Sequence, residues 1–352
     1  MAIVIIDDVG DLIVKIPVEG KPNTEQKYRV CKRAMQRLYV SGVKNEAFSN
    51  PGPIVEIKTA HSINIVTLAF TLAHTPFCQV PEQLAEIDLF KLLKFTGELD
   101  ITHILRPFAK NWAAAINLSE VPEEGISSER LYIAWELGDR ASFDNMVTHL
   151  ALEAKKLRGG DFRETLRMNS CFEDIEGIHD QDSGSIVDTL VDDIISTRVE
   201  AIQAIYKLIG ETMAALATEG QSTPECHRLC RHKEDHDLCE IIMIGGLHQM
   251  FFEYRLWPPL EHRPKSERQM KSVRDLAGKI QEVNEYLNDN DLRHYLPGSK
   301  HMKCAKFLPL FVNLDATLDE ISVLSLHHFD GHFTKQGELT GFVPVPPIVV
   351  VD

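Results

Sequence analysis

The sequence predicts an α+β fold: a small N-terminal sheet covered by helices, followed by a mainly α-helical domain. Three observations carry that expectation. Short β-branched runs bounded by turn residues cluster before residue 58, and from residue 60 to about 157 nearly every segment spaces its apolar residues helically. Beyond residue 185, two long amphipathic stretches flank a region dense in cysteine and histidine.

The first strand is expected in residues 10–16, a run rich in Ile and Val closed by Pro17. A polar loop with Gly20, Pro22 and Asn23 leads to residues 27–31, and the two strands read as an antiparallel hairpin with a long turn. Met35, Leu38, Tyr39 and Val43 then space as a helix, and residues 54–57 form a third strand after the Pro51-Gly52-Pro53 breaker. Five helices follow. Ile63, Val66, Phe70 and Leu72 mark the first, and Leu84, Ile87, Phe90 and Leu93 the second. Ile104, Phe108, Trp112 and Ile116 mark the third, with Pro107 in its early turns. Leu131, Ile133, Ala134 and Leu137 mark a short fourth that stops at Gly138, and Phe143, Met146, Val147 and Leu150 the fifth. A sheet followed by a helical run differs from the alternating βαβ order of a nucleotide-binding sheet.

Residues 173–219 hold 11 acidic and two basic side chains, and the turn-rich stretch 177–184 inside them marks a domain boundary. The expected division is a sheet-containing domain at 1–157, an acidic linker at 158–184, a helical domain at 185–335 and a Pro-rich, extended tail at 336–352. Ser185 is placed to cap a helix whose stripe runs through Val187, Val191, Ile194, Ile195, Val199, Ile202, Ile205 and Ile209. Ser266-Glu267-Arg268-Gln269 is a capping-box pattern ahead of Met270, Val273, Leu276, Ile280, Val283 and Leu287. Between these, residues 241–257 read as a buried helix ended by Pro258-Pro259.

The 352 residues are 44% hydrophobic and 25% charged, the balance of a soluble chain with real cores. Lys plus Arg number 37 against 52 Asp plus Glu, a net charge of −15. Such a chain repels phosphate, so neither direct nucleic-acid binding nor membrane binding is expected. No segment approaches the roughly 20 apolar residues of a membrane span. The apolar opening, residues 2–6, is followed at once by Asp7 and Asp8 and preceded by no basic region, unlike a signal peptide. With seven cysteines, an odd number, the thiols read as free groups or metal ligands in a cytoplasmic or nuclear protein.

Six of the fourteen residues 226–239 are Cys or His, and His301 and Cys304 supply a further close pair. Zinc takes four soft or borderline ligands in a tetrahedron, and short spacings let one turn of backbone place two of them. Cys230, Cys239, His301 and Cys304 would close a Cys₃His site, with Cys226 or His236 as alternatives for one of the first pair. Having no open position, that zinc would be structural. Residues 226–306 hold 14 basic and 12 acidic side chains, so no basic reading helix of the DNA-binding finger type is present.

Other strings carry less. His327-His328-Phe329-Asp330-Gly331-His332 is the only run with the composition of a metallohydrolase ligand set, but its order differs, and a solvated loop is the simpler reading. Gly159-Gly160-Asp161-Phe162 reads as a helix stop, and the Asn117-Leu118-Ser119 sequon matters only on secretion. No nucleophile elbow, phosphate-binding loop or dinucleotide fingerprint occurs, which lowers the expectation of an enzyme.

The strand, strand, helix, strand order of residues 10–57 resembles the opening of a BTB/POZ domain. More narrowly, residues 131–138 with the Phe143-led helix behind them, Cys239 heading an apolar helix that ends in Leu256-Trp257-Pro258-Pro259, and the His301-x-x-Cys304 pair resemble a group of filamentous-fungal proteins built on that domain. Two stretches depart from the pattern: Lys32-Arg33-Ala34-Met35 stands where a Ser/His-rich helix start is usual, and Leu38-Tyr39-Val40-Ser41 replaces the usual turn. The resemblance implies a protein-interaction module that forms homodimers or heterodimers through its first strand and the following helix, some members recruiting cullin-type ubiquitin ligases. The apolar residues 2–6 fit that role, since they can add a strand to a partner's sheet edge. The expectation is therefore a non-enzymatic adaptor or scaffold. A transcription regulator acting through a dimeric domain of this kind, and a metal-dependent hydrolase using residues 327–332, are its alternatives.

Overall fold

Four short strands and a larger set of helices make up the described part of the chain, the α+β class expected from the sequence. The computed structural model describes residues 3–17, 24–38, 54–57, 59, 61–74, 80–122, 125–153, 186–219, 244–254, 256, 272–288 and 329–343. Two compact units emerge. One comprises Met1–Met146, Ser170–Ile178 and Leu326–Asp352, the other Val147–Asn169 and His179–Ser325. The first unit thus takes in residues 326–352, which the sequence reading divides between a second domain and a tail.

The sheet contains β1 (Ile3–Ile5), β2 (Leu12–Pro17), β3 (Glu25–Val30) and β4 (Ile54–Glu56) in the order β1-β3-β2-β4. β2 and β3 are antiparallel, with Leu12 opposite Val30 and Pro17 opposite Glu25, as a hairpin requires; its turn, 18–23, lies outside the described residues. β4 runs parallel to β2 and β1 parallel to β3. The opening residues therefore pair within their own chain, Ile3 beside Lys27 and Ile5 beside Arg29. Alternation sorts the faces. Leu12, Val14 and Ile16 of β2 and Tyr28 and Val30 of β3 are fully buried, whereas Ile13, Lys15, Lys27 and Arg29 lie on the other side.

The buried face is covered by α1 (Lys32–Leu38) and α2 (Ile63–His74). Asp11 accepts the Lys32 amide at 2.8 Å, satisfying an orphan donor at the start of α1, and this bond holds its carboxyl below the usual range. The Tyr28 ring meets Phe70 of α2 edge-on at 5.2 Å and its hydroxyl donates to the Ile63 carbonyl at 3.2 Å.

Next come α3 (Glu86–Glu98), a 3₁₀ turn (Thr102–Leu105) and α4 (Ala109–Ala115). The single helix expected across 104–116 is split in two, because Pro107 lacks an N–H and disfavours helical backbone just before it. α5 (Ser128–Leu137) starts at the Ser127 cap, whose Oγ accepts the Arg130 amide at 3.1 Å, and stops where Gly138 adopts φ +66°. α6 (Arg140–Glu153) follows. Arg130, only 7% exposed, ties these pieces together. It donates to Glu86 Oε2 at 2.8 Å and to the carbonyls of Ile116, at 2.6 Å, and of Asn117, past the end of α4.

In the second unit, α7 (Ile186–Glu219) is 34 residues long, about 51 Å of helix. Of the expected stripe, Val191, Ile194, Ile202, Ile205 and Ile209 are buried, Ile195 is half-buried and Val199 is 38% exposed, while the Val187 side chain lies outside the described residues. The proposed cap, Ser185, lies outside the described residues. Arg198 sits in the stripe and donates to the Ala151 carbonyl at 3.3 Å, in the last turn of α6; burial lowers its pKa to about 10, leaving it charged at neutral pH. A helix over 244–253, α8, lies within the one expected at 241–257, but it is buried on one face only, with Phe252 68% exposed. α9 (Val273–Asn288) packs on α7 and begins at Ser272, whose Oγ accepts the Asp275 amide at 2.8 Å. Ser272 thus caps α9, its hydroxyl reaching the amide three residues on, while the expected capping box at Ser266 lies outside the described residues.

Candidate functional site

The side of the sheet turned away from α2 carries two rows of side chains. In one, Ile5, Arg29, Ile13 and Ile54 stand in register across all four strands; in the other, Ile3, Lys27, Lys15 and Glu56 do. Directly opposed residues share a face, so each row is a continuous strip of surface. Ile3, Ile5 and Ile54 are 48%, 56% and 53% exposed, and Val9, in the loop after β1, is exposed as well. These are four of the seven exposed large hydrophobic residues among those described. Ile3 and Ile5 thus lie exposed at one edge of this face and Ile54 at the opposite edge, where a lone exposed isoleucine would be ordinary.

The charges of this face are held in place. Lys15 pairs with Glu25 at 3.4 Å, and Arg29 Nε donates to the Gly10 carbonyl at 2.9 Å. From the buried side, His74 fastens the end of β3 to α2: its Nε2 accepts the Cys31 amide at 3.0 Å while Nδ1 donates to the Phe70 carbonyl at 2.8 Å, a pattern met by one tautomer. Among the described residues no nucleophile or acid–base pair converges on the outer face. Arg29, Lys27 and Lys15 occupy its two central strands, with Ile3 and Ile5 on the β1 edge and Ile54 and Glu56 on the β4 edge.

A second feature lies at the far side of the first unit, where α10 (Asp330–Thr340) packs on α5 and the 3₁₀ turn. The His332 ring stacks on Trp135 at 3.8 Å, and Phe329 and Phe333 each meet the indole edge-on at 5.3 Å. Arg140 bridges Asp330 at 2.6 Å and Asp144, and Thr340 donates to the Leu137 carbonyl at 2.5 Å. Gly138 makes the close approach work: a Cβ there would overlap the backbone of Gly337, and its φ favours glycine in any case.

Glu136 lies in this core, 2% exposed. Burial pushes its carboxyl up to about 7, opposed by the charge of Lys335. The folded chain thus holds a proton between the ordinary 4.5 and about 7 that the unfolded chain has lost, so stability falls as pH rises through that window. The gap corresponds to about 3 kcal/mol, fully lost above pH 7. Glu136→Gln is expected to match the native chain at pH 4 and to exceed it by about that amount at pH 8. Urea unfolding at the two pH values checks this, and parallel behaviour of the two proteins would refute it.

Residues singled out by sequence are distributed as follows. Cys230, Cys239, His301 and Cys304, the alternatives Cys226 and His236, and His327 and His328 lie outside the described residues. Asp330 and His332 are in α10, in a helix where a solvated loop was expected. His332 is committed to Trp135, its Nε2 donating to the Trp135 carbonyl at 3.2 Å, and burial lowers its pKa to about 4. Among the described residues no cluster of metal-binding side chains occurs and no helix is long and apolar enough to cross a membrane. Of the outer sheet face, sequence reading found only residues 2–6. Lys27, Lys15 and Ile54 were legible as alternate positions of the expected strands, but which alternation faces outward depends on where α2 packs. No protein-family model matches the chain, and no curated protein or solved structure shows detectable similarity to it.

Proposed function

We propose that the chain is a non-enzymatic protein-interaction adaptor that docks protein on the outer face and β1 edge of its sheet, its first partner being a second copy of itself. The exposure of Ile3 and Ile5 on the β1 edge strand, and of Ile54 on the same face at β4, carries the reading. Among the described strands β1 is an edge, so one side of its backbone can pair with a further strand. The face bears charges of both signs, Lys15 and Lys27 against Glu25 and Glu56, which suits a two-fold contact in which each copy meets the opposite sign on the other. The likeness of residues 10–57 to a BTB/POZ opening supports the same reading. That likeness is also the sole support for a cullin-type ubiquitin ligase as a further partner and for a role in transcription. The acidic net charge of −15 favours protein over nucleic acid or membrane, in cytoplasm or nucleus.

Light scattering of the full chain is expected to show a concentration-dependent rise from 39.8 kDa towards twice that mass. Ile5→Asp combined with Ile54→Asp should weaken this association at least about 30-fold, since carboxylates would be buried unpaired, while melting stays unchanged because both positions are exposed. A strict monomer at all concentrations, or a dimer indifferent to the substitutions, would contradict the reading.

The spacing of Cys230, Cys239, His301 and Cys304 supports a structural zinc in the second half of the chain, clamping segments about 60 residues apart in sequence. One zinc per chain is the expected result of elemental analysis, lost in Cys239→Ser together with several degrees of melting temperature. Metal-free protein of unaltered stability would rule the site out.

A further inference from the structure

The seat of α10 is a helix-binding groove, filled by the chain's own distant segment. Glu153, at the end of α6, and Asp330, at the start of α10, are separated by 176 residues, so α10 reaches α5 without a short tether. Recognition is specific: Phe329, His332 and Phe333 surround Trp135, Asp330 pairs with Arg140, Thr340 bonds to Leu137, and Gly337 fits against Gly138.

The fit is nonetheless imperfect in its polar groups. Among the described residues, Trp135 Nε1 and Gln336 Oε1 are both buried with no hydrogen-bond partner. Each such group recovers its solvation when the helix leaves, so release is easier than the aromatic packing alone implies. Any copy of the chain offers the same helix and the same groove, with identical contacts. Only the connection decides between cis and trans.

We propose that α10 is exchangeable, a second copy inserting its residues 329–343 into the groove of the first and receiving the same helix in return. This inference is independent of the sheet-face reading. It implies that the protein has a reciprocal, two-groove assembly mode sensitive to concentration.

A charge-reversal mixture tests it with the full chain. Arg140→Asp alone and Asp330→Arg alone each place like charges together when the helix sits in its own groove, and also in a swapped homodimer. In a swapped pair made of one of each, both grooves regain an opposite-charge contact. The double variant, Arg140→Asp with Asp330→Arg, controls for folding; both positions keep solvent contact, with side chains 29% and 56% exposed. After warming and cooling the two single variants together, native mass spectrometry is expected to find heterodimers about tenfold above the statistical proportion. If a single variant stays unfolded alone, recovery of folded heterodimer on joint refolding supports the exchange equally and its absence counts against it. Monomers only, including those whose groove takes some foreign helix instead, or dimers in statistical proportion, would overturn it. Statistical dimers that Ile5→Asp with Ile54→Asp abolishes would leave the sheet-face reading intact, whereas enriched heterodimers indifferent to those substitutions would sink the sheet-face reading alone.

Discussion

Trp135→Ala is expected to destabilise the first unit by about 3–5 kcal/mol, the range for removing a large buried aromatic. The indole is 1% exposed and touches four rings, Phe143, Phe329, His332 and Phe333. Three of these belong to α10 or its first flanking residue, so the loss removes both a core side chain and the surface on which α10 rests. The void cannot collapse easily, because the Gly138–Gly337 approach already fixes how close the backbones come. Trp135→Phe, which keeps an aromatic core, should cost less than half as much. Thermal unfolding checks both. A loss under about 1 kcal/mol for the alanine variant would mean that α10 does not rest on α5 as described.

Arg130→Met is expected to cost about 3 kcal/mol, towards the lower end for breaking a buried ion pair, since Glu86 keeps 30% of its side-chain exposure and recovers some hydration. Two carbonyls, of Ile116 and Asn117, lose their donor at the same time. The Ser127 hydroxyl, which donates to Glu86 Oε1 at 2.9 Å, would be left holding an unpaired carboxylate. Adding Glu86→Leu removes that charge, so the double variant should be no less stable than Arg130→Met alone and recover part of the loss. Denaturant unfolding of the two single variants and the double variant measures the coupling; strictly additive losses would show that the pair does not act as a unit.

How far the fold was legible depends on the length and clarity of each element. β2, β3 and β4 and the helices over 63–98 and 128–153 follow from β-branched runs and helical spacing. β1 has only three residues, too short for alternation to reveal a strand, and its apolar character alone was visible. α10 was hidden by composition: a string of three histidines drew attention to metal chemistry. Beneath it lie Phe329, Phe333, Gly337 and Thr340, spaced at helical intervals, with Gly341 to stop the helix at φ +86°. That stripe was readable, although nothing local says that it packs on α5. Glu136 was the single charge in the otherwise apolar run 131–137, the pattern of a helix buried all round, so its unusual environment had a visible signal. The outer sheet face could not be assigned from strand patterns, because alternation gives two faces and only the packing of α2 decides which is covered.

Hydrogen exchange on concentrated and dilute full-chain protein probes most directly whether the sheet presents a docking face. Amides over residues 3–6 and 54–57 should exchange more slowly in the concentrated sample, and the difference should vanish in Ile5→Asp with Ile54→Asp. Identical exchange in all samples would show that this surface meets no second copy, and the reading of the chain as an adaptor built on its sheet would fall.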